Sequence, residues 1–184
     1  MGLFDRFRSK EKKEPRYDST DITVLDLGVG FVFDYDLSNW EVQQAYEYDW
    51  GDNYFSDEYK ISNGTDVLYL SVEKDDELIL SVSKKIKVRT LGSEVLEKLM
   101  DTQKPPTTFT YEGTKYVLEE EAPGFFNNRA EGKDHWEEFI SWDFTDEKGE
   151  KLITIEQWDE KEFEASEGKA IKEFEISNIL PSTE

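Results

Sequence analysis

Hydrophobic and polar residues alternate along most of the chain, so that every second position of each run is apolar. This period of two is typical of antiparallel strands that bury one face and expose the other to water. The alternating runs cover residues 22–24, 31–35, 40–42, 59–61, 68–72, 78–82 and 86–88, and the pattern resumes after residue 108. The sequence therefore predicts a mainly β protein.

Turn and helix signals separate these strands. Asn63-Gly64 predicts a hairpin with a type I′ turn, and Asp75-Asp76 predicts the turn after the next strand. One helix is predicted to begin with Ser93 as its N-cap and to end before Pro105-Pro106. Its apolar stripe consists of Val95, Leu96, Leu99 and Met100.

The two halves of the chain resemble each other. A shift of 83 residues aligns 59–82 with 142–165 without a gap and pairs apolar positions with apolar positions, for example Leu70 with Ile153. A slip of one residue would turn either stripe inside out. The agreement therefore predicts two tandem copies of a small antiparallel β unit packed together, with one short linking helix, and we expect a pair of small sheets. Two unrelated meanders, which alternate in any case, are the competing interpretation.

These signals divide the chain into four segments. Residues 1–16 form a basic amphipathic N-terminal segment, 17–90 the first β repeat, 91–107 the helix and linker, and 108–184 the second β repeat. Each repeat is so short that a single hydrophobic core would be marginal, and the repeats are therefore expected to pack on each other.

The charge balance argues against one class of partner. The 184 residues include 22 Lys and Arg against 43 Asp and Glu, which gives a net charge of −21. Residues 1–16 carry +3, so the remainder carries −24 and repels a phosphate backbone, which excludes nucleic acid as an expected partner. The acid excess either keeps the protein soluble or attracts cations, polyamines or a basic partner.

Few residues in the chain suit catalysis or metal binding. The chain has no Cys, which excludes disulfides, thiolate metal sites and cysteine nucleophiles. His135 is its single histidine, which excludes metal sites with two histidine ligands. Motifs typical of nucleotide, esterase and zinc-protease sites are missing. We therefore expect a protein without enzymatic activity, cofactor or metal.

The first residues form a candidate membrane contact. On a helix, Leu3, Phe4 and Phe7 share one face, and Arg6 and Arg8 lie on or beside the opposite one. Such a segment binds weakly to an anionic membrane surface, and a frayed terminal tail is the alternative. No run is apolar enough for a membrane helix or a signal peptide, so we expect a cytoplasmic protein, located at the inner membrane surface if this segment binds lipid.

Aromatic residues in two predicted connections form a candidate binding surface for an unknown protein partner. Trp50, Tyr54 and Phe55 lie beside one glycine, and Phe125 and Phe126 follow another in the second half. Large aromatic side chains in long connections are frequent in binding patches. The alternative is that they fold back and cap their own sheet.

Four short motifs resemble one bacterial family. They are 25–30 (LDLGVG), 40–42 (WEV), 48–51 (YDWG) and 68–73 (LYLSVE). With looser matches in the second half, they are similar to the bacterial "domain of unknown function 4178" family over roughly residues 21–180. The resemblance implies a bacterial cytoplasmic protein and supplies no catalytic residues, because the family has no established activity. It also implies that relatives are often encoded beside phage-shock-protein-A-like membrane-remodelling proteins and polyamine-synthesis enzymes.

Three functions stay open from the sequence. The first is a non-enzymatic intracellular binding or scaffold protein, peripheral to the membrane if its N-terminus binds lipid. The second is a small-ligand or cation-binding protein, with polyamines as the specific class. The third, a carboxylate-dependent hydrolase, needs two acids facing each other across a groove, and the many acid–aromatic neighbours in this sequence do not select a pair.

Overall fold

The computed structural model describes residues 21–181. In this part of the chain, eleven strands form one continuous antiparallel sheet, which confirms the mainly β prediction. The strands are β1 (Val32–Tyr35), β2 (Ser38–Asp49), β3 (Phe55–Ser62), β4 (Val67–Lys74), β5 (Leu78–Ile86), β6 (Thr108–Tyr111), β7 (Thr114–Asn128), β8 (Trp136–Thr145), β9 (Lys151–Asp159), β10 (Glu162–Ile171) and β11 (Ser177–Leu180). One α-helix, α1 (Ser93–Thr102), and three short 3₁₀ turns complete the secondary structure of the described residues.

The sheet closes on itself. Its strand order is β11-β1-β2-β3-β4-β5-β10-β9-β8-β7-β6, and the ends of β2 and β7 also pair with each other. The eight strands from β2 through to β7 therefore form a closed ring, and β11-β1 and β6 extend beyond it. The expected pair of small sheets is wrong, because backbone hydrogen bonds between β5 and β10 and between β2 and β7 join the halves into one sheet.

Alternate residues of each strand face the outside and the inside of this ring. The outer face carries large apolar side chains such as Tyr59, Ile61 and Leu70. The inner face carries small polar side chains such as Ser71 and Ser81, which line an internal cavity. The polar face thus lines the inside of the ring, where side chains such as Ser71 and Ser81 are half-buried, whereas the apolar face lies on the outside of the ring. Small side chains suit the inside because an eight-stranded closed sheet leaves a narrow interior.

Two hydrophobic clusters lie on the outer face. The first combines side chains of β1 to β5 with Ile171 and Ile176 from the far end of the chain. The second combines side chains of β6 to β10 with Val95 and Leu99 of α1. The chain then returns to the first cluster, because β11 pairs with β1. The predicted helix is therefore confirmed, and it covers the second cluster.

Two predicted element starts are corrected. The alternation at Ile22 and Val24 does not form a strand: Val24–Asp26 is a 3₁₀ turn, since the Thr23 side chain accepts a hydrogen bond from a backbone N–H of this turn and competes with extended pairing. The N-cap of α1 is Gly92, with φ 111°, and Ser93 is the first residue of the helix itself. Gly92 tolerates a positive φ that a serine would rarely adopt.

The turn at Asn63-Gly64 differs from its prediction. Ser62 pairs with Val67, and the Asn63 side chain accepts hydrogen bonds from the backbone N–H groups of Thr65 and Asp66. Asn63 therefore precedes the centre of the turn, and Gly64 is its first central residue, with φ 90°. A type I′ turn needs a positive φ at both central residues, and Thr65 does not have one.

The two central hairpins also differ in register. In the first half Tyr59 lies opposite Leu70, whereas in the second half Trp142 lies opposite Ile155. The gap-free alignment instead matches Leu70 with Ile153. The second hairpin is thus two residues longer at its turn, and a gap there is required to bring the strand pairs into correspondence.

Candidate functional site

The closed ring of strands encloses a cavity of about 350 Å³. Residues from seven of the eight ring strands line it, so the cavity lies inside the ring and not in a groove on one side. A volume of this size falls in the range that holds one small ligand. The polar lining residues are Tyr48, Ser56, Glu58, Ser71, Glu73, Ser81, Ser83, Lys85, Ser141, Asp143, Thr145, Thr154, Glu156 and Ser166.

Glu58 on β3 is one half-buried acid of this cavity. Its carboxylate accepts a hydrogen bond of 3.1 Å from the Tyr48 hydroxyl. Burial and the nearby carboxylate of Glu156 raise the pKa of Glu58 from 4.5 to about 7, although Lys85 and the Tyr48 hydroxyl oppose this rise. Glu58 and Glu156 lie on β3 and β9, which are not neighbours in the sheet, so the two carboxylates interact across the interior.

Asp143 on β8 is a second half-buried acid. It accepts hydrogen bonds from the hydroxyl groups of Thr154, at 2.6 Å, and Ser141, at 3.3 Å. Burial is the main cause that raises the pKa of Asp143 from 3.8 to about 6, with a further contribution from Glu156. Ordinary hydroxyl groups thus hold this carboxylate in place, and neither of them neutralises its charge.

Lys85 on β5 is the one basic side chain that lines the cavity in the described part of the chain. Its Nζ donates to Glu156 at 3.1 Å and to Glu164 at 2.8 Å, and lies 5.6 Å from the centre of the Tyr69 ring. Burial alone would lower the pKa of Lys85, but the two glutamates outweigh it and raise the pKa above its ordinary range. Lys85 is therefore a firmly charged ammonium group, which does not suit a lysine nucleophile.

The cavity consequently has an excess of negative charge. Four carboxyl groups line it, those of Glu58, Glu73, Asp143 and Glu156, against the single ammonium of Lys85. Charges held away from water are costly unless they are paired. A positively charged guest would relieve this cost, since it would pair with carboxylates that now have only hydroxyl partners.

Aromatic side chains close one end of the interior. Tyr48 stacks on Trp50 with ring centres 5.6 Å apart, and Trp50 also meets the Phe139 ring at 5.4 Å. Phe139 stacks on Trp158 at 5.0 Å, and Phe126 meets Trp158 at 5.2 Å. Together these rings form a wall beside the carboxylates, and the faces of such rings attract cations.

Within this wall, Trp50 lies between the cavity and the outside of the ring. It lines both the internal cavity and an outer groove that also includes Phe125 and Trp158. The indole N–H of Trp50 donates to the Ser56 hydroxyl at 2.9 Å. Gly124 leaves room for it, because a Cβ there would lie 3.0 Å from the Trp50 ring.

The structure separates the predicted partner-binding residues into two groups. Trp50 and Phe126 belong to the aromatic wall, and the Tyr54 hydroxyl donates to Glu73 at the rim of the cavity. Phe55 and Phe125 both lie opposite Asp49 of β2, on the outer face, and are 41% and 43% exposed. Phe125 and Phe126 lie within β7, which corrects their prediction as part of a connection.

The predicted membrane-contact residues Leu3, Phe4, Arg6, Phe7 and Arg8 lie outside the described residues. Among residues 21–181, no helix is long and apolar enough to cross a membrane. The same residues contain no group of three or more histidine or acidic side chains placed to hold a metal ion.

The charged residues that line the cavity were not predicted from the sequence; they are Glu58, Lys85, Asp143 and Glu156. One signal in the sequence could have found them. Several polar positions of the central strands are serine, as at Ser71, Ser81 and Ser83, whereas a face in bulk water would carry mainly long charged side chains. Small polar residues at every second position indicate a narrow enclosed face, and the few acids on that face are then candidates for binding.

Comparisons with known proteins give family-level matches. The family model described as "Domain of unknown function (DUF4178)" matches residues 28–173. A protein of Aquifex aeolicus (strain VF5) described as uncharacterized is 28% identical over 186 residues, which cover 98% of this chain and 99% of the relative. No solved structure matches the chain. The match over 28–173 confirms the resemblance found in the sequence.

Proposed function

Since the chain belongs to the domain of unknown function 4178 family, whose description assigns no activity, we propose a function from the geometry of the cavity. The protein binds a small, positively charged ligand inside the closed sheet. The observation that carries this proposal is the cavity of about 350 Å³ inside the ring, with four carboxyl groups and one ammonium group in its lining. Polyamines are the specific class we propose, because they carry several ammonium groups on a narrow apolar chain.

Burial and charge together support a cationic guest. Glu58 and Asp143 both have a raised pKa because ionisation inside the protein is unfavourable. A bound ammonium group would favour their ionised forms and would gain charge-assisted hydrogen bonds. The aromatic wall next to them offers ring faces to the rest of the ligand.

Thermal unfolding of the full chain with spermidine, putrescine and magnesium at about 150 mM salt tests the proposal. A shaped site should keep its ligand at this salt, whereas attraction to an acidic surface should fade. Asp143→Asn should reduce the stabilisation by spermidine, and Asp76→Asn, which removes the same charge from an exposed turn, should leave it unchanged. Equal spermidine stabilisation of both variants, or none of the wild type, would refute internal binding.

A second candidate function is docking of a protein partner on the outer face. It is supported by Phe55 and Phe125, which flank Asp49 and expose much of their rings. In this role the protein is a non-enzymatic scaffold. Replacing both rings by serine should release a co-purifying partner, and Val29→Ser, at another exposed apolar position, should retain it. Retention by all variants would exclude these rings as the docking surface.

We also propose that the chain arose by duplication. Phe33 lies opposite Trp40 in the first half, and Phe109 lies opposite Tyr116 in the second half. The spacing along the chain between the two paired aromatic residues is the same in both halves. The ladder shifts by one residue after Val42 in β2 and again at the corresponding position of β7. Both observations support two copies of a five-stranded unit, β1 to β5 and β6 to β10. An experimental structure in which the two units do not superpose strand by strand would contradict this proposal.

A membrane-peripheral location in a bacterial cytoplasm remains a proposal based on the N-terminal residues. Three apolar side chains beside several bases support weak and reversible contact with anionic lipid.

A further inference from the structure

The side chain of Lys85 stands between the cavity and the outside. It lines the internal cavity and also an outer groove formed with Tyr69, Phe163 and Glu164. Its two glutamate partners differ in burial: the side chain of Glu156 is 12% exposed, whereas that of Glu164 is 48% exposed. The ammonium group of Lys85 thus connects the inner carboxylate of Glu156 with the more exposed carboxylate of Glu164.

This arrangement also shows what the inner carboxylate binds. The group seated on Glu156 is a primary ammonium, which donates to the carboxylate at 3.1 Å and faces the Tyr69 ring. It also faces Glu58, whose carboxylate interacts with both Glu156 and Lys85. A ligand with a primary ammonium group would find the same partners and would compete with Lys85 for them.

We propose that Lys85 is a built-in competitor that occupies the ammonium subsite of the cavity when no amine is bound. This proposal rests on the proposed binding of a cationic ligand. When a ligand ammonium takes the position on Glu156, the flexible Lys85 side chain turns outward and keeps its contact with Glu164. Lys85 therefore lowers the apparent affinity for amines, because an incoming ammonium group must displace it from Glu156.

The test compares two neighbouring lysines in the full chain. Lys85→Met removes the ammonium and keeps an unbranched apolar stem, and Lys84→Met removes an exposed ammonium that pairs with Glu167 at 2.8 Å. The probe is putrescine, with 1,4-butanediol as an uncharged analogue of the same carbon chain. If Lys85 occupies the subsite about nine-tenths of the time, its removal should lower the Kd of putrescine about tenfold. Lys84→Met should leave it unchanged, and no protein should bind the diol.

A second measurement keeps the proposal testable if Lys85→Met does not fold. Lysine side chains of the wild-type protein can be observed by NMR after reductive methylation with labelled formaldehyde. Putrescine should shift the Lys85 signal toward that of an exposed lysine and leave the Lys84 signal in place. A Lys85 signal that does not move on saturation with putrescine would overturn the proposal.

The outcomes separate this inference from the proposed function. If the wild type and both variants all fail to bind putrescine and spermidine, the proposed function itself is wrong. If the wild type binds putrescine and Lys85→Met binds it equally or more weakly, the cavity binds amines but Lys85 is not a competitor. In the second case Lys85 would be a positioning residue for the carboxylates.

Discussion

Replacing Glu58 by glutamine should change how the stability of the protein depends on pH. Glutamine keeps the size of the side chain and can still accept the hydrogen bond from Tyr48, but it cannot ionise. A carboxyl group with a raised pKa in the folded state binds its proton more tightly there than in the unfolded chain. The wild type therefore loses free energy of unfolding as the pH rises from 4.5 toward about 7.

The size of this loss in stability follows from the rise in the pKa of Glu58. The pKa of Glu58 rises from 4.5 to about 7. Each pKa unit corresponds to about 1.4 kcal/mol, so full ionisation costs the folded state about 3 kcal/mol. Between about pH 5 and about pH 8.5, the part of this loss that can be observed is about 2.5 kcal/mol. Glu58→Gln should not show this loss, and its stability relative to the wild type should rise by that amount over the interval.

Urea unfolding without ligand, repeated at several pH values across this interval, measures the difference. Glu77→Gln is a matched control, because it removes one negative charge from the exposed turn between β4 and β5. Its free energy of unfolding relative to the wild type should stay nearly constant over the same pH range. If the difference between Glu58→Gln and the wild type also stays constant, Glu58 does not ionise inside the protein near neutral pH.

Two other predictions concern the pairing of β5 with β10 and the N-terminal segment. A Cβ on Gly168 would lie 2.7 Å from the Val82 carbonyl oxygen, so Gly168→Ala should lower the free energy of unfolding in urea by about 1–3 kcal/mol. Gly28→Ala, whose Cβ would meet its neighbours at 3.6 Å, should change it little, and equal losses would contradict the clash. Replacing Phe4 and Phe7 together by serine should reduce co-sedimentation of the full chain with anionic liposomes, and unchanged pelleting would exclude this membrane contact.

Strands were predictable in this protein because the apolar residues of each strand point to one face. The sequence shows alternating apolar positions at Tyr59 and Ile61 of β3 and at Leu70 of β4. All three side chains are buried in the structure. The 3₁₀ turn at Val24–Asp26 was not predictable in the same way. Ile22 and Val24 alternate as in a strand, and it is the side-chain contacts of Thr23 that favour the turn over the strand.

Neither the closure of the sheet nor the cavity inside it could be predicted from local sequence patterns. They depend on the pairing of β2 with β7 and of β5 with β10, which joins residues far apart in the chain, such as Tyr48 with Phe126. Alternation specifies that a strand has a polar face, but it does not specify whether that face lies in bulk water or inside a closed sheet. Glu58 and Asp143 therefore looked like ordinary surface acids among many.

The pairing of β11 with β1 has a consequence for synthesis of the protein on the ribosome. The first hydrophobic cluster includes Ile171 and Ile176, and its edge strand finds its partner in Ser177–Leu180. Strands β1 to β5 must therefore wait until the chain has been made as far as Leu180 before their core is complete. Until then, the nascent chain exposes the apolar side of these strands, which is the kind of surface that aggregates or binds chaperones.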